Sequence, residues 1–221
     1  MITPLAQARD VAMRIAIAML VTLPGSAVFA QEPSVPVVEP PHELERASVE
    51  LDEDTRGWIA RAKAHARVLE WDVAESLFRR AHEKYPEDGY LQFALGTALI
   101  ETRKHREAVE LLVPLVERFP NHPSLLNNLA WLFGKTEDED IKDLMRASGY
   151  AQAALVASPD SPLIWSTATE IYYRRGEFKQ ALSMAGIALE LARGLRIENI
   201  SDFVDLQERC ARAVRAMEIL E

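Results

Sequence analysis

The chain has 221 residues, of which 48% are hydrophobic and 27% charged, with 25 Lys and Arg against 34 Asp and Glu, one cysteine and a formal net charge of −9. That apolar content excludes wholesale disorder, and the length is enough for one large core or two small ones. The lone Cys210 excludes an internal disulfide and a cysteine-based zinc cluster, and the acidic balance repels phosphate backbones, so nucleic acid is not an expected partner.

Residues 1–30 read as a secretory signal peptide. Arg9 and Arg14 give a positive flank, Ile15 to Leu23 form an uncharged and nearly all-apolar run, and Pro24-Gly25 break it. Val28-Phe29-Ala30 then places small-enough side chains where a signal peptidase reads, so cleavage is expected after Ala30, with Met13 an alternative start to Met1. A membrane span takes about 20 apolar residues, more than this run supplies, so no transmembrane anchor is expected. No Cys lies near the cleavage point to carry a lipid. The expected location is therefore periplasmic or secreted. Removing Arg9, Arg14 and Asp10 with the leader moves the net charge from −9 to −10.

Residues 31–54 form a proline-rich and acidic segment. Pro33, Pro36, Pro40 and Pro41 crowd its first part, and an acid-rich run from His42 to Asp54 follows. Proline removes backbone donors and favours an extended backbone, so this stretch reads as a spacer.

From residue 55 the chain repeats itself. Pro86 and Pro120, Ala74 and Ala108, Leu95 and Leu129, Leu99 and Phe133, and Ala147 and Ala181 are each 34 positions apart. A second offset of 39 relates Pro120 to Pro159, Pro123 to Pro162, Leu126 to Trp165 and Ala108 to Ala147. One repeat is therefore five residues longer, and the polar stretch Lys135 to Asp140 is the expected place for the insertion. Small Ala62, Gly96 and Ala130 are expected to face Ala74, Ala108 and Ala147 across each hairpin, because only small side chains let two helices approach closely. Pro86, Pro120 and Pro159 should end helices, while Pro123 and Pro162 sit where a helix begins. Pro114 falls inside a predicted helix and should kink it. Ser201 is an expected N-cap for a last helix with the apolar stripe Phe203, Leu206, Cys210, Val214, Met217 and Leu220.

These residues resemble the tetratricopeptide repeat family, a 34-residue helix-turn-helix unit with W-x2-L-G-x2-Y, then A-x3-F, then P. Trp58, Ala62, Ala74, Phe78, Ala81 and Pro86 match it in a first repeat, and Leu95-Gly96, Leu99, Ala108, Leu112 and Pro120 in a second. A third offers Leu129-Ala130, Phe133, Ala147, Ala151, Ala154 and Pro159; a fourth has Trp165, Tyr172, Ala181, Ala185 and Ala188. His65, Thr169 and Arg193 depart from the pattern. The resemblance implies an all-α fold, a right-handed superhelical array (solenoid) of antiparallel helix pairs. It divides the chain into repeats 55–88, 89–122, 123–161 with the insertion, and 162–195, followed by a C-terminal capping helix within 196–221.

Catalytic motifs are absent: there is no Gly-rich phosphate loop, no H-E-x-x-H and no G-x-S-x-G. His42, His65, His82, His105 and His122 never fall at a helical i, i+4 spacing, so no metal, cofactor or enzyme activity is expected. Asp138 and Asp140 read as a solvated loop. What remains is binding of a protein or peptide. The resemblance implies a concave groove lined by the first helix of each pair, which nominates Lys63, Arg67, Tyr90, Phe93, Thr97, Asn127, Trp131, Lys135, Glu170, Tyr173 and Arg174. Ile59 and Lys63 do not match the family's carboxylate-clamp variant, which has Lys and Asn at those positions. The alternative is a structural subunit of an envelope assembly, bound through the convex face or the last helix.

Overall fold

A computed structural model describes residue 44 and residues 50–220, apart from the side chain of Leu220. The signal peptide, its cleavage point and the proline-rich stretch lie outside the described residues. Nine helices and no strand occur among the described residues: α1 (Glu53–Arg67), α2 (Trp71–Lys84), α3 (Gly89–Glu101), α4 (His105–Arg118), α5 (Pro123–Lys135), α6 (Leu144–Ala157), α7 (Pro162–Arg174), α8 (Phe178–Gly194) and α9 (Ser201–Leu220). Consecutive helices pack pairwise, α1 with α2 through α7 with α8, and α9 lies against α8.

Local chemistry sets these boundaries. Asp52, Asp88 and His122 precede α1, α3 and α5, and their side chains accept the Thr55, Leu91 and Leu125 amides at 3.0, 2.9 and 3.0 Å. Each satisfies one of the donors that a helix start leaves unpaired. Pro123 and Pro162 are the first residues of α5 and α7, where a missing N–H costs nothing.

The turns inside three pairs share one closure. The amides of Glu70, Lys104 and Glu177 donate to the carbonyls of His65, Leu99 and Tyr172 at 3.0, 2.8 and 3.0 Å. This closure needs a left-handed residue just before the donor: Leu69 (φ 62°), Arg103 (φ 61°) and Gly176 (φ 80°) occupy that place. In the third pair the insertion replaces the tight turn with residues 136–143.

Packing follows the small residues. Ala62, Ala74, Ala108, Ala130, Ala147, Ala168 and Ala181 are fully buried. Gly96 is a refinement of the expected facing pairs, because the side chain that fills its missing volume is Leu112. A Cβ at Gly96 would stand 2.3 Å from Leu112 Cδ2 and 2.5 Å from its Cγ. The core runs continuously from Leu44 through Leu91, Leu99, Leu129 and Phe133 to Ile171. Pro114 lies within α4, which continues through it to Arg118. Pro114 is exposed, and its ring nitrogen has no hydrogen to donate to the Glu110 carbonyl.

The closing helix α9 buries Phe203, Cys210, Ala213 and Val214, with Leu206 and Met217 partly covered. Its apolar stripe is thus occupied by the preceding pair. Burial also pushes the Cys210 thiol up to about 11. One expectation is corrected: Ser201 is the first helical residue and not the N-cap. Ile200 precedes it and accepts the Val204 amide, and Asn199 Oδ1 accepts the Ser201 amide at 3.1 Å just ahead of the helix. The Ser201 hydroxyl instead donates to Asn199 Oδ1 at 2.7 Å and so caps no backbone amide.

Candidate binding groove

The first helices of the pairs, α1, α3, α5 and α7, carry the nominated residues at helical spacing. Tyr90, Phe93 and Thr97 share one face of α3, Asn127 and Trp131 one face of α5, and Glu170, Tyr173 and Arg174 one face of α7. The structure joins them in small groups. Lys63 Nζ stands 4.9 Å above the Tyr90 ring, linking α1 to α3. Phe93 packs on the His122 ring at 5.3 Å, and Thr97 Oγ1 donates to the Phe93 carbonyl while accepting from Asn128 Nδ2 at 2.9 Å.

Farther along, Trp131 meets the His105 ring edge-on at 6.3 Å, and Lys135 Nζ lies 5.2 Å over the indole. His105 Nδ1 is 2.8 Å from Thr136 Oγ1, and burial pushes this imidazole below its ordinary value. Arg103, His105, Trp131, Lys135, Glu137 and Asp138 line a half-open pocket of about 190 Å³. At the last pair, Arg209 of α9 reaches back to pair with Glu170 and to stack 4.8 Å over Tyr173. Arg174 holds the other Glu170 oxygen at 3.0 Å. Burial opposes the Glu170 charge, but Arg209, Lys135 and Arg174 together outweigh it and hold the carboxyl below its usual range. Burial raises Tyr173.

Exposure divides the nominated set. Tyr90, Phe93, Thr97 and Asn127 are buried, Lys63, Trp131, Lys135, Glu170 and Tyr173 are half-buried, and Arg67 and Arg174 are exposed. Arg67 sits on the last turn of α1, where a cation suits the helix C-terminus. Asn127 is 0% exposed, and neither its Nδ2 nor its Oδ1 has a hydrogen-bond partner among the described residues. Sequence reasoning did not find Asn128, His122 as a cap, Arg209, or Glu75. The Glu75 carboxylate binds Arg79, Thr102 and Lys104 and so ties α2 to the α3–α4 turn. Asp138 and Asp140 are also more than a solvated loop, since both accept from Arg106 of the preceding pair, Asp138 at 2.8 Å and Asp140 at 2.9 Å. No cluster of three His, Cys, Asp or Glu suited to a metal occurs among the described residues, and none of their helices is long and apolar enough to cross a membrane.

A family model described as "Tetratricopeptide repeat" matches residues 70–132, from the end of the first turn through α5. Over that stretch the sequence matches the tetratricopeptide-repeat family. Solved structures of such arrays share its fold. Among them is TTC0263, a thermophilic tetratricopeptide-repeat protein in Thermus thermophilus, at 18% identity and a TM-score of 0.55. That match covers 72% of this chain and 98% of that one. MamA (41-end) from Desulfovibrio magneticus RS-1 superposes at TM-score 0.54 and 15% identity, covering 76% of this chain and 95% of that one. Yeast Tom70 gives TM-score 0.58 at 16% identity over 76% of this chain but only 34% of its own. At these identities the likeness is one of fold. No curated protein matches the sequence. Tetratricopeptide arrays are in general protein-interaction scaffolds and not enzymes, and protein is the class of partner that this fold suggests.

Proposed function

We propose that this tetratricopeptide protein is exported and binds a segment of a protein partner along the inner faces of α3, α5 and α7. Asn127 carries the proposal. A buried amide with neither end bonded costs about 1–3 kcal/mol per unpaired group, and an apolar side chain of the same size would avoid that cost. Its two ends match what one extended peptide unit offers, an acceptor and a donor side by side. One turn along α5, Trp131 and Lys135 supply a rigid aromatic surface and a cation at the half-exposed edge of the same face. The occupied stripe of α9 favours this reading over assembly through the last helix.

Peptides selected from a display library on the immobilised mature chain test it, with affinities measured by fluorescence anisotropy. Asn127→Ala and Trp131→Ala should each weaken binding by about tenfold or more, which is about 1.4 kcal/mol, while Arg215→Ala on exposed α9 should leave it unchanged. Selected peptides insensitive to both groove substitutions would refute the groove. The export reading rests on the leader-like residues 1–30. Expression of the full chain in a bacterial host, with mass spectrometry of the periplasmic fraction, should return a protein beginning at Gln31. Retention of residues 1–30 in the cytoplasm would overturn it.

A further inference from the structure

Leu44 lies nine positions ahead of α1, in a stretch whose composition reads as a spacer, yet it is fully buried. It belongs to the same core as Leu91, Phe93 and Leu99. Its contact is at the start of α3: a Cβ on Gly89 would lie 3.4 Å from Leu44 Cδ2 and 2.9 Å from Phe119 Cε2. Gly89 therefore leaves the space in which Leu44 and Phe119 meet.

A second anchor lies nearer α1. Leu51 is half-buried against the core, and Asp52 is held by Lys84 at 2.7 Å and by the Tyr85 hydroxyl at 2.6 Å. Tyr85 and Phe119 are 34 positions apart, the residues just after α2 and α4. The two anchors thus use the same place in successive repeats. Packed helices stand about 8–10 Å apart, and eight positions of sequence can reach up to about 26–29 Å, so the separation of Leu44 and Asp52 in sequence is compatible with both anchors. Leu44 adds to a cover of α3 to which Lys63 over Tyr90 and His122 on Phe93 also contribute. Eleven of its 13 residues are buried, including Tyr90, Phe93, Ala94 and Thr97, although its helix neighbours are chiefly α2 and α4. Charge agrees as well: Glu43, Glu45, Glu50 and Asp52 surround the leucine in sequence, and Lys63 and Arg67 lie on α1 beside α3.

We propose that the stretch anchored by Leu44 and Asp52 is a built-in ligand of the first two repeats, competing with a partner segment for the inner face of α3. The competition rests on the groove reading above; the docking does not. The occupant is the chain's own segment, bound in cis, which places the open part of the groove at α5 and α7.

Thiol labelling of the full mature chain tests this, using Leu44→Cys in a Cys210→Ser background. Maleimide should react about tenfold or more slowly in the folded protein than in denaturant, as for a site reached only by local opening. The protection should not change on dilution. A selected groove peptide should speed labelling toward the denatured rate, and Leu44→Asp should raise that peptide's affinity several-fold. Labelling at the denatured rate with a native circular-dichroism spectrum overturns the docking. Protection lost on dilution assigns the segment to a second copy and overturns the cis arrangement. Bound peptide that leaves the labelling rate unchanged overturns the competition. If no peptide binds at all, the groove reading fails while the protection still decides the docking.

Discussion

Replacing Glu75 by glutamine keeps the side-chain shape and removes a single charge from the joint between the first two repeats. The Glu75 side chain is 5% exposed, and its oxygens accept from Arg79 Nη2 at 2.8 Å, Lys104 Nζ at 2.7 and 2.8 Å, and Thr102 Oγ1 at 2.7 Å. A charge-assisted hydrogen bond is worth about 1.5–3 kcal/mol, and breaking a buried pair about 3–5. Both figures overstate this case, because Arg79 and Lys104 are 37% and 47% exposed and regain water once the carboxylate is gone. Arg79 also keeps Glu107 at 2.9 Å. The expected cost is therefore about 2 kcal/mol, or about 4–8 °C in Tm for a chain of this size. Burial alone would push the Glu75 carboxyl up, but Lys104, Arg79 and Thr102 outweigh it and hold it below its ordinary value of 4.5. A carboxyl lowered in the folded state stabilises above its unfolded value and loses that contribution as pH falls through the folded value. Thermal and urea melts of Glu75→Gln and the parent should therefore differ by a constant amount above about pH 5 and converge below 4.5. A neutral-pH difference below about 0.5 kcal/mol, within the range of ordinary surface changes, or a gap that widens in acid, would refute this account.

Gly96→Ala should lower stability by about 1–2 kcal/mol in urea melts: with Leu112 atoms at 2.3 and 2.5 Å from the new Cβ, overpacking falls in the upper part of its range, about 2–3, and the helix-propensity gain of about 1 offsets only part of it. Leu69→Gly should act oppositely, raising stability by about 0.5–1 kcal/mol. The left-handed strain at φ 62° exceeds the entropy cost of glycine, and Leu69 is 55% exposed with little packing to lose. Asn127→Leu should raise the melting temperature by removing an unpartnered amide worth about 1–3 kcal/mol while abolishing peptide binding. A fall in both would show that the amide is bonded after all. Cys210 should resist thiol reagents at neutral pH until the chain unfolds, since it is fully buried and its thiol is pushed up to about 11.

The elements most legible in the sequence are those governed by short-range rules. Ala74 and Ala108, and Pro123 and Pro162, each act within one hairpin, so their 34- and 39-residue offsets carry the architecture directly. The links between repeats are written differently. Glu75 with Lys104, Asn128 with Thr97, and Arg209 with Glu170 join residues 29, 31 and 39 positions apart through side chains that surface positions also use. Nothing local distinguishes those residues from solvated ones. Leu44 is the extreme case, because a leucine among prolines and acids has no periodic neighbour to mark it as core. The exposure of the groove was similarly hidden: helical spacing places Tyr90 and Phe93 on the inner face but says nothing about what covers it.

The turn edge of the array determines how the stack bends. Arg79–Glu107 and Lys104–Glu75 bolt the first joint, and Arg106 on Asp138 and Asp140 bolts the second. The third joint is fastened by hydrogen bonds to neutral partners, Arg175 to Ser148 and Gln152 to Tyr172. A stack of nearest-neighbour units behaves as a chain of springs. The exposed pairs, Arg79–Glu107 and Arg106 with its two aspartates, are the springs that salt screens most, whereas the buried Glu75 oxygens are screened less. Higher ionic strength is therefore expected to loosen the exposed ion pairs of the first two joints, and the insertion loop, through Asp138 and Asp140, carries those of the second.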